Sequence, residues 1–442
     1  LAWAKAMTTV AWARACAARL GRPVIPVFWA AGDDSDLAES NAAEFLEPDA
    51  PAPGAAMEFA DPEAAVPMSL RLLEAKPLRA LWEKLPPSWD DPMRARAREA
   101  YAPGRSLTEA FVRLLQPFLG PEGALFVDGL SAARRPESQA LLRRIASEGA
   151  AFQEALLRGT ARLRETLSLD AQVPVRPGAV PVFLFEGGER KRLFFSDSGR
   201  VYAAGAEDMD LRAALAEKTL LHSALSRPLV VDTLFPLLGH VLGPAETRYF
   251  AQLADVFPAF GRSFPLLAPR GQALAVPESG LRALETLGFT AADLLDLRPS
   301  RVREKLTEEA WARHPASTEF PDAEYRAFRG TLSGYQERRF AGGNFEAALR
   351  RLDRSFGNYR EQARRRVFAE DAAAGFRALQ PLLRWLAGGQ QDRHLNLLSL
   401  RAALGEAGFA ALTERFRAVG EEKIGAATVL EADMPGWKEK SA

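Results

Sequence analysis

The chain has little cysteine and no surplus of either charge. Cys16 is the single cysteine in 442 residues, so no internal disulfide can form and no multi-thiolate metal cluster can be assembled. Lysine plus arginine number 57 and aspartate plus glutamate number 57, which removes the global field that draws a protein onto nucleic acid or an anionic bilayer. The four histidines, His222, His240, His314 and His394, never stand at the short helix-face spacing of zinc enzymes, so no metal site is expected. No apolar run reaches the roughly 20 residues of a membrane span, and Lys5, Arg14 and Arg19 interrupt the N-terminal segment, so no signal peptide is visible. A Walker-type Gly-x-x-x-x-Gly-Lys, a Gly-x-Gly-x-x-Gly after a strand and a Gly-x-Ser-x-Gly elbow are all missing, against kinase, dinucleotide oxidoreductase and serine hydrolase chemistry.

What remains is ordinary globular sequence, 48% hydrophobic and 26% charged, in a chain long enough for two or three structural units. With its lone thiol it fits a reducing, cytoplasmic setting. From Ala2 to Leu20 an alanine-rich stretch without proline or glycine runs to Gly21 and predicts one helix. That stretch opens without an initiating methionine or a capping residue, and a segment upstream is expected. Pro23-Val-Ile-Pro-Val-Phe-Trp29 reads as a strand buried on both faces, and the acidic turn Gly32-Asp-Asp-Ser-Asp36 lies at its carboxyl end, where open α/β sheets bind ligands. Proline, alanine and acidic residues mark a linker near 47–67. Leu107–Leu119 and Gly123–Asp128 repeat the helix-then-strand alternation, and helical sequence follows over about 136–168. Val180–Tyr202 carries two turns between apolar runs, a hairpin module. Apolar Pro228–Val231 and Phe264–Pro269 read as strands flanking a helix over about 245–257.

The division expected is a first part of the core over 1–160, an inserted connecting module over 161–220, a second part of the core over 221–280, and a helical region over 281–442. In the last, Phe345, Leu349, Leu352, Phe356, Tyr359 and Ala363 alternate at steps of four and three, the seam of a helical hairpin or coiled coil that pairs within the chain or with a second copy.

Several residues carry chemistry in their own right. Lys5 near a helix start could neutralise a carboxylate or phosphate, the competing reading being a solvated surface lysine. Asp33, Asp34, Asp36 and Glu39 crowd one turn, where mutual repulsion could hold a proton or the carboxylates could hold an ammonium group; plain helix capping is the bland alternative. Gly243 and Pro244 open a helix whose N-terminus favours anions, with Glu246 able to position an amine. Asp232 and Thr233 at the end of one strand, and Arg270 at the end of the next, could contact substrate or make structural ion pairs. Gln391, Arg393 and Asn396 stand at a break between helices and could face a nucleotide or another domain. Cys16, inside an alanine-rich helix, reads as a small apolar residue.

Lys5-Ala-Met-Thr-Thr-Val10, Gly21 to Gly32, Ser106-Leu-Thr-Glu-Ala-Phe111, Arg227-Pro-Leu-Val-Val-Asp-Thr-Leu-Phe-Pro236, Gly243-Pro-Ala-Glu-Thr-Arg-Tyr-Phe-Ala-Gln-Leu253, Ala268-Pro-Arg270 and Gly388 to Asn396 occur in the order seen in one family. Over nearly its whole length the chain thereby resembles the bacillithiol-synthesis cysteine-adding enzymes. The resemblance implies an α/β fold: a Rossmann-like parallel sheet of nucleotidyl-transfer type, split by an inserted module and followed by a C-terminal α-helical coiled coil that dimerises. It implies a ligase that joins cysteine to glucosaminyl-malate through an amide bond, with ATP or ADP as the nucleotide. It points to Asp34, Asp36 and Glu246 as catalytic, to Lys5, Asn41, Asp232, Thr233, Gly243, Pro244 and Arg270 as substrate-binding, and to Gln391, Arg393 and Asn396 as nucleotide-binding. The chain departs from the family at Ser35 and Ala42, where histidines are expected, at Val231 and Leu242, where glutamine and glycine are expected, and in starting after the place of a Thr-Gly-Gln-Gln stretch. These departures keep open an alternative, a catalytically silent homologue that binds a ligand or partner.

Overall fold

The computed structural model describes residues 2–44, 54–57, 59, 61–85, 91–196, 198–205, 210–290, 292–340, 345–386, 397–422 and 427–432. The chain divides into two compact units, the first built from Leu1–Glu47, Ala52–Ala273 and Asp392–Thr428, the second from Pro48–Pro51, Leu274–Gln391 and Val429–Ala442. The fold is mixed α/β, with parallel strands in the first unit and a run of C-terminal helices.

In the first unit α1 (Ala2–Leu20) is closed by Gly21, whose φ of +61° is the left-handed conformation that a helix C-terminus favours in glycine. Its buried side chains, among them Trp3, Met7 and Val10, form one stripe. β1 (Val27–Ala30) follows, then α2 (Leu107–Leu119), whose first turn is closed by Ser106 accepting from the Glu109 amide at 3.1 Å. β2 (Leu125–Asp128) pairs with β1 in parallel, Val27 opposite Leu125 and Ala30 opposite Asp128. The helical stretch over 136–168 is two helices, α3 (Pro136–Ser147) and α4 (Gly149–Leu167).

The hairpin module is larger than the sequence suggests. β3 (Ala179–Glu186), β4 (Glu189–Phe195), β5 (Val201–Ala203) and β6 (Thr219–His222) form an antiparallel sheet in the order β5-β4-β3-β6. Gly187 and Gly188 both have positive φ, as the two-residue turn between β3 and β4 requires. Leu142, Ile145, Phe152, Leu193, Leu220 and Phe257 belong to the main core, which joins this sheet to α3 and α4.

Two strand assignments change downstream. Pro228–Val231 is not a strand but the first turn of α5 (Arg227–Leu234), so Asp232 and Thr233 lie on a helix. Four consecutive apolar residues suit a buried helix as well as a strand, and Pro228 at the first turn favours the helix. The strand before the glycine is β7 (Gly239–Leu242); α6 (Pro244–Gln252) follows directly, and the expected helix over 245–257 breaks into α6 and a short turn at Val256–Ala259. β8 (Leu266–Pro269) runs parallel to β7, with Leu242 opposite Pro269. The expected single parallel sheet is therefore two separate parallel pairs, β1 with β2 and β7 with β8, with no hydrogen bonds joining them among the described residues.

The last helix of the first unit, α7 (Leu397–Glu422), packs on α1, with Trp3 against Phe409 and Phe416 at ring centroid distances of 5.2 and 5.1 Å. In the second unit, helices Asp322–Arg339 and Phe345–Val367 meet through Tyr325 stacked on Phe356 at 3.8 Å, with Asp353 accepting from Tyr325 Oη and Arg329. Trp385 donates its indole N–H to the Ala275 carbonyl at 2.7 Å.

One close approach sets α6, the helix that carries Glu246. Gly159 of α4 abuts the carbonyl of Gln252, and a Cβ there would stand 2.2 Å from that oxygen. The buried Gln252 side chain accepts from the amides of Gln172 and Val173 and donates to Thr160 Oγ1 and the Val173 carbonyl. Replacing glycine by alanine inside an ordinary helix stabilises by roughly 1 kcal/mol. Gly159→Ala is expected to do the reverse and destabilise by about 2 kcal/mol, because backbone atoms have to move apart; a denaturant midpoint equal to or above that of the parent would contradict this packing.

Candidate functional site

The N-terminal part of α1 and the start of α6 meet at a charged cluster. Lys5 Nζ donates to Glu246 Oε1 at 2.6 Å, and each side chain is 31% exposed. The other carboxylate oxygen, Oε2, accepts from the Gly243 amide at 2.8 Å. This is half of a capping box, since the glycine at the cap has no side chain to return the bond. Pro244 occupies the first turn of α6, where its missing N–H costs nothing. Gly243 lies against Glu246 and Arg270 together: a Cβ on it would stand 3.6 Å from Glu246 Oε2 and 3.9 Å from Arg270 Nε. Arg270 is buried just beyond β8, and its amide donates to the Leu242 carbonyl at 2.8 Å. The neighbouring Gly271 amide donates to Thr8 Oγ1 at 3.0 Å, which ties α1 to the end of β8.

Of the residues proposed from sequence, Lys5, Gly243, Pro244, Glu246 and Arg270 thus come together. Asp232 instead accepts from Arg262 at 3.0 Å, and Thr233 Oγ1 donates back along its own helix to the Leu229 carbonyl. Asn41 Nδ2 reaches the Met57 carbonyl at 3.5 Å. Asp34 is exposed and accepts from Arg190 of β4 at 2.8 Å, and Asp36 is exposed beside it. Gln391, Arg393 and Asn396 lie outside the described residues.

The acidic residue of the turn that enters the interior is Asp33. Its Oδ2 lies 3.0 Å from Nδ1 of His222 at the end of β6, and both side chains are almost wholly buried. The Trp29 ring lies beside the imidazole at a centroid distance of 5.6 Å. Burial alone would raise the Asp33 carboxyl, but His222, Arg227 and Arg190 outweigh it and hold the group below the usual carboxylate range. Burial likewise pushes Glu246 up, and Lys5, the Gly243 amide and Arg227 together bring it below its ordinary value. For Lys5 burial wins: the ammonium is lowered despite Glu246, with Arg227 and Arg270 adding to the effect.

Sequence reading did not single out His222, Arg227, His240 or Tyr249 for this cluster. Arg227 opens α5, donates to the Tyr249 hydroxyl at 3.3 Å, and senses both Asp33 and Glu246. Its place at the head of the Arg-Pro-Leu-Val-Val-Asp-Thr segment was the available signal. His240 of β7 packs on Phe250 at 4.9 Å and is lowered to about 4 by burial and by Lys5. A cleft of 590 Å³ lies at the carboxyl end of β2, lined in part by Ser69, Ser106, Thr108 and Asp128. Among the described residues no group of three or more histidine, cysteine, aspartate or glutamate side chains is arranged to hold a metal ion, and no helix is long and apolar enough to cross a membrane.

The arrangement separates neighbouring aspartates by role. His222→Leu leaves a buried carboxylate without its partner and is expected to cost about 3 kcal/mol, whereas Asp34→Asn, which breaks an exposed pair, is expected to cost less than about 1 kcal/mol. Equal shifts of the unfolding midpoint in the two variants would contradict that ranking. His240 is neutral in the fold at pH 7. As pH falls from about 6.5 toward about 4, the unfolded chain takes up a proton that the folded chain refuses, so this residue removes stability across that window. An NMR titration of His240 centred near 6.5 would exclude the burial described.

The family described as "Bacillithiol biosynthesis BshC, N-terminal Rossmann-like domain" matches residues 2–271, well over half of the chain and the whole of the cluster. Three curated relatives, each named "Putative cysteine ligase BshC", agree with it. The protein of Salinibacter ruber is 29% identical over 301 residues, covering 66% of this chain and 54% of its own. That of Shouchella clausii is 30% identical over 288 residues, covering 62% and 52%. That of Heliobacterium modesticaldum is 28% identical over 392 residues, covering 83% and 66%. The chain thus spans about half the length of the first two. It belongs to the bacillithiol biosynthesis BshC family.

Proposed function

We propose that the Lys5–Glu246 cluster is where this chain joins the carboxyl group of cysteine to the amine of glucosaminyl-malate, the amide-forming step of bacillithiol synthesis. The observation that carries the reading is the meeting of Lys5, Gly243, Glu246 and Arg270, drawn from three separate segments of the family-matched region. Amide formation needs an amine held as a nucleophile next to the cysteine carboxyl activated by ATP, whose phosphate-bearing group leaves with the acyl C–O bond as the C–N bond forms, and positive charge to receive the oxygen that gains electron density. Glu246 would orient the amine; Lys5, Arg270 and the free amides at the start of α6 would hold the anionic groups. Asp34 and Asp36 would carry proton transfer from the rim of the turn, with Asn41, Asp232 and Thr233 as outer contacts of the substrate. ATP or ADP is the expected nucleotide, with Gln391, Arg393 and Asn396 as its contacts, and a homodimer through Phe345–Ala363 is the expected assembly.

A second reading, a homologue that binds the same ligand without turnover, is favoured by Ser35 and Ala42 in places where the family resemblance calls for histidine. One experiment separates the two. The chain is incubated with cysteine, glucosaminyl-malate and ATP, bacillithiol is sought by mass spectrometry, and glucosaminyl-malate binding is measured in parallel by calorimetry. Product that falls on the order of 100-fold or more in Glu246→Ala supports the ligase. Binding without product supports the silent homologue. Neither binding nor product removes both.

A further inference from the structure

Arg227 differs from the other cations of the cluster. Lys5 is engaged with Glu246 at 2.6 Å. Both oxygens of Glu246 are already used, one by Lys5 and one by the Gly243 amide. Asp33 is engaged with His222 at 3.0 Å. Arg227 senses the charges of Asp33 and Glu246, yet among the described residues no carboxylate closes on it as an ion pair, and its one side-chain hydrogen bond is the 3.3 Å contact to Tyr249 Oη. Nor is any of its nitrogens sealed in the interior without a partner, unlike Nε of Arg190. A guanidinium carries five N–H donors in one plane. Apart from the one that meets Tyr249, those of Arg227 have no protein partner among the described residues.

We infer that Arg227, braced by the Tyr249 hydroxyl, is the fork that receives an anionic oxygen pair of the ligand at this site. The planar donors match a carboxylate or a phosphate in two parallel bonds, which a point charge such as Lys5 cannot do. Tyr249 accepts from Arg227 and keeps its own hydroxyl proton to donate to the same anion. Asp33 and Glu246 attract the guanidinium without occupying its donors. Lys5 and Arg270 add positive charge nearby, so an incoming anion meets a field already set for it. The inference rests on reading the cluster as a ligand site, and it names the group that would select for a doubly bound anion.

Two sources offer that chemistry, a carboxylate of the amine-bearing substrate and a phosphate of a nucleotide. Calorimetric titration of the whole chain with malate, and separately with inorganic pyrophosphate, tells them apart without any need for turnover. The expected result is measurable binding of at least one anion, weakened on the order of 30-fold in Arg227→Met and only partly restored in Arg227→Lys, because lysine returns the charge but not the fork. Tyr249→Phe is expected to weaken binding several-fold, and it keeps the test alive if Arg227→Met does not fold. Malate alone binding assigns the fork to the substrate carboxylate, and pyrophosphate alone assigns it to the nucleotide. Undiminished affinity in a folded Arg227→Met, or affinity in Arg227→Lys and Tyr249→Phe equal to the parent, overturns the inference, as does a parent chain that binds neither anion. Anion binding that depends on Arg227 in a chain that makes no bacillithiol would end the ligase reading and leave the fork standing.

Discussion

The bond between Lys5 and Glu246 is the constraint around which the site is arranged. It joins the first helix to a helix that starts more than half the chain later, and it uses one oxygen of a carboxylate whose other oxygen caps that second helix. A half-buried pair such as this contributes on the order of 1 kcal/mol to stability, because the cost of desolvation offsets much of its attraction. The pair therefore does not hold the two helices in place. Apolar packing and buried hydrogen bonds do that: Gly159 against Gln252 sets α6 on α4, and the Gly271 amide on Thr8 sets α1 beside the end of β8. The ion pair sits where those contacts deliver it.

How much of this could be read from the chain depends on how local each signal is. α1 with its terminal Gly21, α2 with its Ser106 cap, the strand that ends at Asp128 and the Gly-Gly turn between β3 and β4 are each announced by neighbouring residues. The pattern fails where tertiary structure decides. Pro228–Val231 is apolar on every side because α5 is packed into the core, and such a run has no period to distinguish helix from strand. The number of strands in a sheet is likewise a property of pairing across the chain. Nothing within β1 or β7 shows that each finds a single parallel neighbour among the described residues.

The candidate site divides in the same way. Gly243, Pro244 and Glu246 form a helix start that can be read locally, and Arg270 ends an apolar strand as expected. The aspartates of the turn are another matter. Asp33, Asp34 and Asp36 are chemically the same and nearly adjacent, so no feature of the turn says which one turns inward. The choice is made by His222 from β6, which gives Asp33 a buried partner, and by Arg190 from β4, which takes Asp34 at the surface.

The same reasoning bears on the two positions where the family resemblance calls for histidine and the chain has Ser35 and Ala42. The turn supplies no imidazole of its own. The fold nevertheless brings two from other strands: His222 lies against Asp33, and His240 lies within electrostatic reach of Lys5 and Glu246. Their environments differ. His222 stands against a carboxylate that is held ionised, while His240 is kept neutral by burial and by the nearby ammonium. The two imidazoles thus stand in different surroundings, one against the Asp33 carboxylate and one against the Phe250 ring, although neither lies in the acidic turn itself.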